Sequence, residues 1–199
     1  MAAGVRNVIL VRHGETEWNL VGRWQGTTDI PLSDAGRAQA RDLGQRLRGA
    51  GITRVHTSHL SRARETADIV AATWDLRVPV IVDERLRERG YGGFEGLTRD
   101  ECAARFPQAW AEYQADRRAV PPDAEPQAEI IARVMAAMHE IAAATDLPPT
   151  TPVLVVSHGG SIRSFVHAAV GVLLPPLGNG AIVQLRFDGA RFRLTDGGA

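Results

Sequence analysis

Val8-Ile9-Leu10-Val11-Arg12-His13-Gly14-Glu15-Thr16 is the stretch on which the fold turns. Four branched aliphatics in a row read as a strand buried on both faces, the pattern of a parallel sheet covered by helices. The polar, glycine-containing turn that follows stands at the strand's carboxyl end, where open α/β sheets place their chemistry. Arg12 offers a permanently charged fork for phosphate or carboxylate. His13 is the side chain type that serves as nucleophile or base near neutral pH. Gly14 lets a ligand or a second backbone come close.

The composition around this stretch is that of an ordinary globular protein, with 44% apolar and 23% charged residues in 199. That length suits one core and a single domain over residues 1–199. Lys+Arg and Asp+Glu both number 23, so no global field recruits nucleic acid or a membrane surface. Arginine carries the basic side, which suits bidentate oxyanion recognition but follows equally from genomic base composition. Cys102 is the sole cysteine, which excludes a disulfide framework and a thiolate metal cluster. The first residues lack a signal peptide's apolar core and no apolar run reaches membrane length, so a cytoplasmic protein is expected.

Outward from the first strand, Glu15 to Leu32 is irregular and too long for an ordinary connection. Ser33 is placed to cap a helix bearing Ala35, Leu43 and Leu47 on one face, stopped at Gly49 and Gly51. Thr53 to Thr57 reads as a strand. Ser58 or Ser61 caps a further helix with Ala63, Ala67, Val70 and Trp74 in phase. Val78 to Val82 is a third strand, pushed towards a sheet edge by Pro79. Strand alternating with helix spells a parallel sheet.

Thr98-Arg99-Asp100-Glu101 is a capping box opening another helix, and a short one is expected from Trp110 to Arg118. Beyond Pro121, Pro122 and Pro126 runs a long helix with Ile130, Val134, Ala137 and Ile141 aligned. Gly96 to about Ala144 reads as a helical excursion over the sheet, too short and interrupted to hold its own core. Val153-Leu154-Val155-Val156 is a second buried strand, ending in Ser157-His158-Gly159-Gly160 and a helix with Ile162, Phe165, Val166 and Ala169 in phase. Ala181 to Thr195 alternates about Asp188-Gly189 as a closing hairpin. The expected fold is three-layer α/β/α with a mostly parallel central sheet, the helical excursion at its active-site edge and a C-terminal hairpin.

His13 and His158 share one context: four aliphatics, one residue, then His-Gly. Strand ends on one side of a parallel sheet converge, so the two imidazoles can meet. A metal site would want further ligands. His139 and His167 fall on helices at positions expected to be solvated, and His56 and His59 are assigned structural or surface roles. Gly159-Gly160-Ser161-Ile162-Arg163 fails the G-x-S-x-G elbow at its last position. Arg12 to Glu17 does not supply G-x-G-x-x-G for a dinucleotide. Phosphoryl transfer through histidine fits best, with Arg12 and Arg62 as clamps and an acid for the leaving oxygen.

With these residues in view the chain resembles the histidine phosphatase superfamily, also called phosphoglycerate mutase-like. The likeness runs through Arg12-His13-Gly14-Glu15-Thr16 with Asn19, Gln25-Gly26 with Asp29 and Pro31-Leu32-Ser33, and Ser58 to Thr66 around Arg62. It continues in Leu86-Arg87-Glu88 leading to Phe94-Glu95-Gly96, and in Ser157-His158-Gly159-Gly160. The resemblance implies that His13 is the phosphorylated nucleophile and that Arg12, Arg62 and His158 hold the phosphoryl group. Asn19, Gln25, Gly26 and the backbone of Gly159 would complete the phosphate pocket. Glu88 would be the general acid and later the base, with Glu84 as fallback and Asp83 in a solvated loop. No metal or resident cofactor is implied.

Within the family, the Glu88–His158 span of 70 positions and Gln25 resemble phosphatases. Glu88-Arg89-Gly90-Tyr91-Gly92, Arg117-Arg118 and Arg99 resemble the acid loop and carboxylate-binding residues of mutases, which use 2,3-bisphosphoglycerate as primer. The expectation is phosphomonoester hydrolysis on a small acidic phosphorylated metabolite. A phosphoglycerate mutase is the alternative, and a non-catalytic phospholigand binder the second. The only partner expected is that metabolite, with a homodimer allowed. Ala124-Glu125-Pro126 stands where relatives carry Gly-Glu-Ser, which weakens the cap of the long helix.

Overall fold

The computed structural model describes residues 4–74, 77–116 and 119–195. Arg117 and Arg118, expected to bind a substrate carboxylate, lie outside these residues. The opening strand β1 (Arg6–Arg12) runs through the centre of the sheet, parallel to β4 (Val153–Ser157) with Val8 opposite Val153 and Arg12 opposite Ser157. Then β2 (Val55–Thr57) joins the other side of β4, and β3 (Val80–Val82) forms the edge, both parallel. On the far side β5 (Ile182–Phe187) runs antiparallel to β1, and β6 (Phe192–Leu194) closes the hairpin. The sheet order is β3-β2-β4-β1-β5-β6.

The continuous aliphatic runs have a direct cause. Successive side chains alternate faces, and here both faces are covered. Ile9, Val11, Leu154 and Val156 meet Leu43 and Leu47, from α2 (Asp34–Arg46) and its end, and Ala63, Ala67 and Val70 of α3 (Ser61–Ala72). Val8, Leu10, Val153 and Val155 meet α6 (Gln127–Ala142) and α7 (Gly159–Val170) through Ile130, Val134, Met138, Ile162 and Phe165. This is the three-layer fold expected, with β4 inserted between β1 and β2. No helix among the described residues is long and apolar enough to cross a membrane.

Several local expectations need correction. The Glu15–Leu32 stretch contains a one-turn helix, α1 (Glu17–Leu20), because Thr16 and Asn19 form a reciprocal cap. Ala35 is exposed; Gly36, Ala40, Leu43 and Gly44 make the buried face of α2. Neither serine caps α3, whose N-cap is Leu60; Ser61 instead donates to Asp29 Oδ1 at 2.8 Å. Two short helices follow, α4 (Arg99–Arg105) and α5 (Pro107–Ala115); α5 starts three residues before Trp110, with proline in its first turn.

The excursion also proves narrower than Gly96–Ala144, since α6 is a layer of the main core. What remains packs into a small aromatic cluster shared with the Trp24 loop and the Tyr91–Phe94 segment. Phe94, Cys102 and Tyr113 are buried with Trp24, Tyr91, Phe106 and Trp110 around them. Aromatic volume compensates for short helices. His139 is not solvated but half-buried against Phe187 and Phe192, at 5.7 and 5.1 Å between ring centroids. His167 is exposed, as is His59, while His56 is buried in β2.

Candidate active site

The Arg12–Ser157 pairing brings the next residues, His13 and His158, side by side at the carboxyl ends of β1 and β4. Their ring centroids lie 5.0 Å apart. His13 is 3% exposed and His158 fully buried. His13 Nδ1 lies 2.6 Å from the Gly14 carbonyl. A carbonyl only accepts, so Nδ1 carries the proton and Nε2 keeps its lone pair. Neither nitrogen of His158 meets a hydrogen-bond partner among the described residues. Burial holds both imidazoles well below their ordinary pKa, reinforced by the nearby Arg62 and Arg12 cations. His13 is therefore a neutral imidazole.

Both guanidiniums are held by backbone carbonyls. Arg62, fully buried in the first turn of α3, donates to Gly26 O at 2.7 Å and Thr28 O at 2.9 Å. Arg12 donates to the Leu177 carbonyl. The Nε of each has no partner among the described residues. Burial lowers the pKa of both, Arg62 to about 10, against the opposing pull of Glu88. Both stay charged at neutral pH and can draw a phosphate dianion into the space between the histidines.

Glu88 sits on the N-terminus of α7. Its Oε1 accepts from Ser161 N–H and Arg89 N–H, both at 2.9 Å, and from Ser161 Oγ at 3.3 Å. Among the described residues its Oε2 accepts from Gly160 N–H alone, at 2.9 Å. The sequence supplies the room: a Cβ on Gly160 would lie 2.5 Å from Glu88 Oε1 and 2.9 Å from the Tyr91 hydroxyl. Burial, followed by the Glu88 charge, pushes that phenol well above its ordinary pKa. Gly159 has the Arg12 guanidinium 3.5 Å from where its Cβ would be.

The remaining candidates divide. Asn19 Oδ1 accepts from Thr16 N–H at 3.2 Å, Thr16 Oγ at 3.1 Å and Asn179 Nδ2 at 3.1 Å, leaving Asn19 Nδ2 as the donor end. Gln25 is buried with its Oε1 unpartnered among the described residues, and Gly26 takes φ +54° beside Glu95. Arg99 is exposed at the start of α4. Asp83 caps the 3-10 turn Glu84–Leu86 and pairs with Arg85 at 2.7 Å, and Glu84 is exposed.

Sequence reasoning names Glu95 only within Phe94-Glu95-Gly96, without its role, and misses Asn179. Glu95 staples the Gly26 loop to the acid loop by accepting from Thr27 N–H, Thr28 N–H and Tyr91 N–H at 2.8–3.0 Å. Asn179, in Gly178-Asn179-Gly180, reaches the backbone of His13 and Gly14. Only the glycines flanking Asn179 hint that the chain there makes close approach. Among the described residues no group of three His, Cys, Asp or Glu side chains is arranged to hold a metal.

The comparisons with known proteins agree with this geometry. The profile of the histidine phosphatase superfamily (branch 1) matches residues 8–197. The uncharacterized phosphatase PhoE of Bacillus subtilis is 32% identical over 95% of this chain and 92% of its own. The probable phosphoglycerate mutase GpmB of Cronobacter sakazakii is 37% identical over 83% of this chain and 75% of its own. Among solved structures, a mycobacterial glucosyl-3-phosphoglycerate phosphatase in complex with VO3 superimposes with a TM-score of 0.83. It is 30% identical and covers 98% of this chain and 99% of its own. Relatives thus carry both phosphatase and mutase names, on an enzyme fold shared over almost the full chain. The chain belongs to the histidine phosphatase superfamily.

Proposed function

We propose that this enzyme hydrolyses phosphomonoesters of small acidic metabolites through a phosphohistidine on His13. One observation carries the reading: a buried, neutral imidazole with its Nε2 lone pair directed away from the Gly14 carbonyl, flanked by the buried Arg62 guanidinium, the half-buried Arg12 guanidinium and a second imidazole. In the first step Nε2 attacks phosphorus, the P–N bond forms and the P–O ester bond breaks. Glu88 enters this step protonated, its carboxyl having taken up a proton as the anionic substrate binds beside it, and gives that proton to the leaving oxygen. Its Oε2, with one hydrogen bond among the described residues, is the freer oxygen. In the second step Glu88 takes a proton from water as that water attacks phosphorus. Inorganic phosphate leaves and His13 is again neutral.

Arg12, Arg62, His158, Asn19 Nδ2 and the Gly159 N–H surround the three phosphoryl oxygens through both steps. A bound dianion would raise the depressed pKa of His158 and turn it into a further donor. Because protein cations balance the charge, this scheme needs no metal or resident cofactor. Phosphoglycerate interconversion is the second reading, favoured by the 37% identity to a probable mutase. It would add a bisphosphoglycerate primer, with Arg99 and Arg117-Arg118 as candidate carboxylate contacts.

The test is a His13→Ala variant checked for fold by circular dichroism. It is expected to lose turnover and the acid-labile phosphoenzyme, and retained turnover refutes the proposal. A phosphomonoester panel beside a coupled assay for 3- to 2-phosphoglycerate conversion separates the two readings. Hydrolysis without interconversion supports the phosphatase; primer-dependent interconversion overturns it.

A further inference from the structure

The segment after α7 returns to the sheet beside the end of β1 and follows the Arg12–Gly14 turn closely. The Leu177 carbonyl takes the Arg12 guanidinium, Gly180 N–H donates to Arg12 O at 3.1 Å and His13 O at 3.3 Å, and Arg12 N–H donates to Ala181 O at 3.1 Å. Asn179 lies in the middle of this cradle. Its Nδ2 is 3.1 Å from each of three acceptors: His13 O, Gly14 O and Asn19 Oδ1. Two hydrogens serve three acceptors, so one bond is shared. Each acceptor governs a group at the phosphoryl site. Gly14 O is the oxygen that fixes the His13 proton on Nδ1. Asn19 Oδ1, held from this side and by Thr16, decides which end of the Asn19 carboxamide faces a ligand.

We propose that Asn179 is a positioning residue for phosphoryl transfer, which orients the nucleophile His13 through the Gly14 carbonyl and the donor Asn19 through its amide oxygen. The inference rests on the phosphohistidine reading. Without the Asn179 amide, Gly14 O keeps a single donor and its peptide plane loses a restraint, so the in-line aim of Nε2 loosens. Asn19 Oδ1 then keeps only the Thr16 donors among the described residues, so its amide is held from one side and its Nδ2 is aimed less firmly at the phosphoryl oxygens. Both defects bear on the transition state more than on ground-state binding.

Asn179→Ala tests this, with the isosteric Asn179→Asp, which puts an acceptor where the donor faced three acceptors, as a second variant. Against p-nitrophenyl phosphate, kcat is expected to fall by roughly 10–10²-fold, the effect of a displacement of about 1 Å, while KM moves by less than about threefold. Vanadate, which mimics the five-coordinate transition state, should lose affinity in step with kcat, and inorganic phosphate should not. An Asn19→Ala/Asn179→Ala double variant should fall little below the worse single one, as expected of residues that act together. ¹⁵N NMR should show the His13 ring of Asn179→Ala as mixed tautomers. Unchanged kcat, or vanadate and phosphate weakening equally alongside a drop in Tm, overturns the proposal and leaves Asn179 a fold-stabilising residue. Absence of an acid-labile phosphoenzyme in the unsubstituted protein overturns the reading of the site itself, before any variant is compared.

Discussion

Substituting Gly160→Ala isolates the acid. The new Cβ would stand 2.5 Å from Glu88 Oε1, whereas ordinary contact begins near 3.4 Å, so the carboxylate retreats by about 0.9 Å. Hydrogen bonds of 2.9 Å from Ser161 N–H and Arg89 N–H then stretch to about 3.8 Å, beyond bonding reach. A displacement of about 1 Å at a reacting group costs on the order of 10² in rate. Stability moves little. Alanine in a helix gains about 0.5–1 kcal/mol over glycine, and the loosened carboxylate contacts offset this by about 1–2 kcal/mol. The assay is the single-turnover rate of phosphoenzyme formation on two substrates. An alkyl phosphate, whose leaving oxygen needs the proton, should slow by about 10²-fold. p-Nitrophenyl phosphate, whose leaving group departs as an anion, should slow by less than about tenfold. Equal slowing on both would refute Glu88 as the acid, and no slowing on either would refute its working from the α7 N-terminus.

Two further outcomes follow from the contacts around the site. Glu95→Gln replaces one of two acceptor oxygens by a donor, facing either Thr28 N–H or the pair Thr27 and Tyr91 N–H, and should cost about 1–3 kcal/mol in urea unfolding. It should also lower kcat, because the same loop offers the Gly26 and Thr28 carbonyls to Arg62; an unchanged urea midpoint contradicts the staple. Burial also depresses His56, to about 4, and holds His13 and His158 well below 6.5. The unfolded chain binds their protons first, so the stability they contribute is full above about pH 6.5 and is lost as pH falls towards the folded values. Unfolding midpoints should therefore drop between pH 7 and 5, and less steeply for His56→Gln; parallel curves for the two proteins refute the assignment.

What was legible in the sequence is what side chains announce. The aliphatic runs before His13 and His158 reveal strands covered on both faces, and the register of β1 and β4 brings the two rings to 5.0 Å. The capping box at Thr98 and the buried phase of α6 are also plain from residue types. Sheet order is less accessible. Nothing local tells β4 to enter between β1 and β2, because that order depends on long-range pairing. The aromatic core of α4 and α5 was hidden because its members, from Trp24 to Tyr113, come from separate segments. His139 was misplaced for a related reason: its neighbours Phe187 and Phe192 belong to the hairpin. The α5 start, by contrast, was signalled by Pro107.

The least legible part of the site is what holds its cations, and this explains the design. Arg62 is buried and Arg12 half-buried with its Nε enclosed, yet among the described residues their terminal nitrogens meet carbonyl oxygens of Leu177, Gly26 and Thr28 rather than carboxylates. A buried charge balanced only by dipoles costs a fold several kcal/mol relative to one fully paired. A carboxylate at each guanidinium would relieve that cost, but it would also occupy the forks that a phosphoryl group needs. Carbonyls fix the direction of a guanidinium while leaving its net charge intact, so the attraction for a dianion survives. Glu88, the carboxylate with the largest pull on both guanidiniums, is kept to the side by the α7 N–H groups. Loop backbone therefore does what a salt bridge could not, and the proposed phosphoryl transfer depends on Glu95 and Asn179, which shape those loops, without either taking part in it.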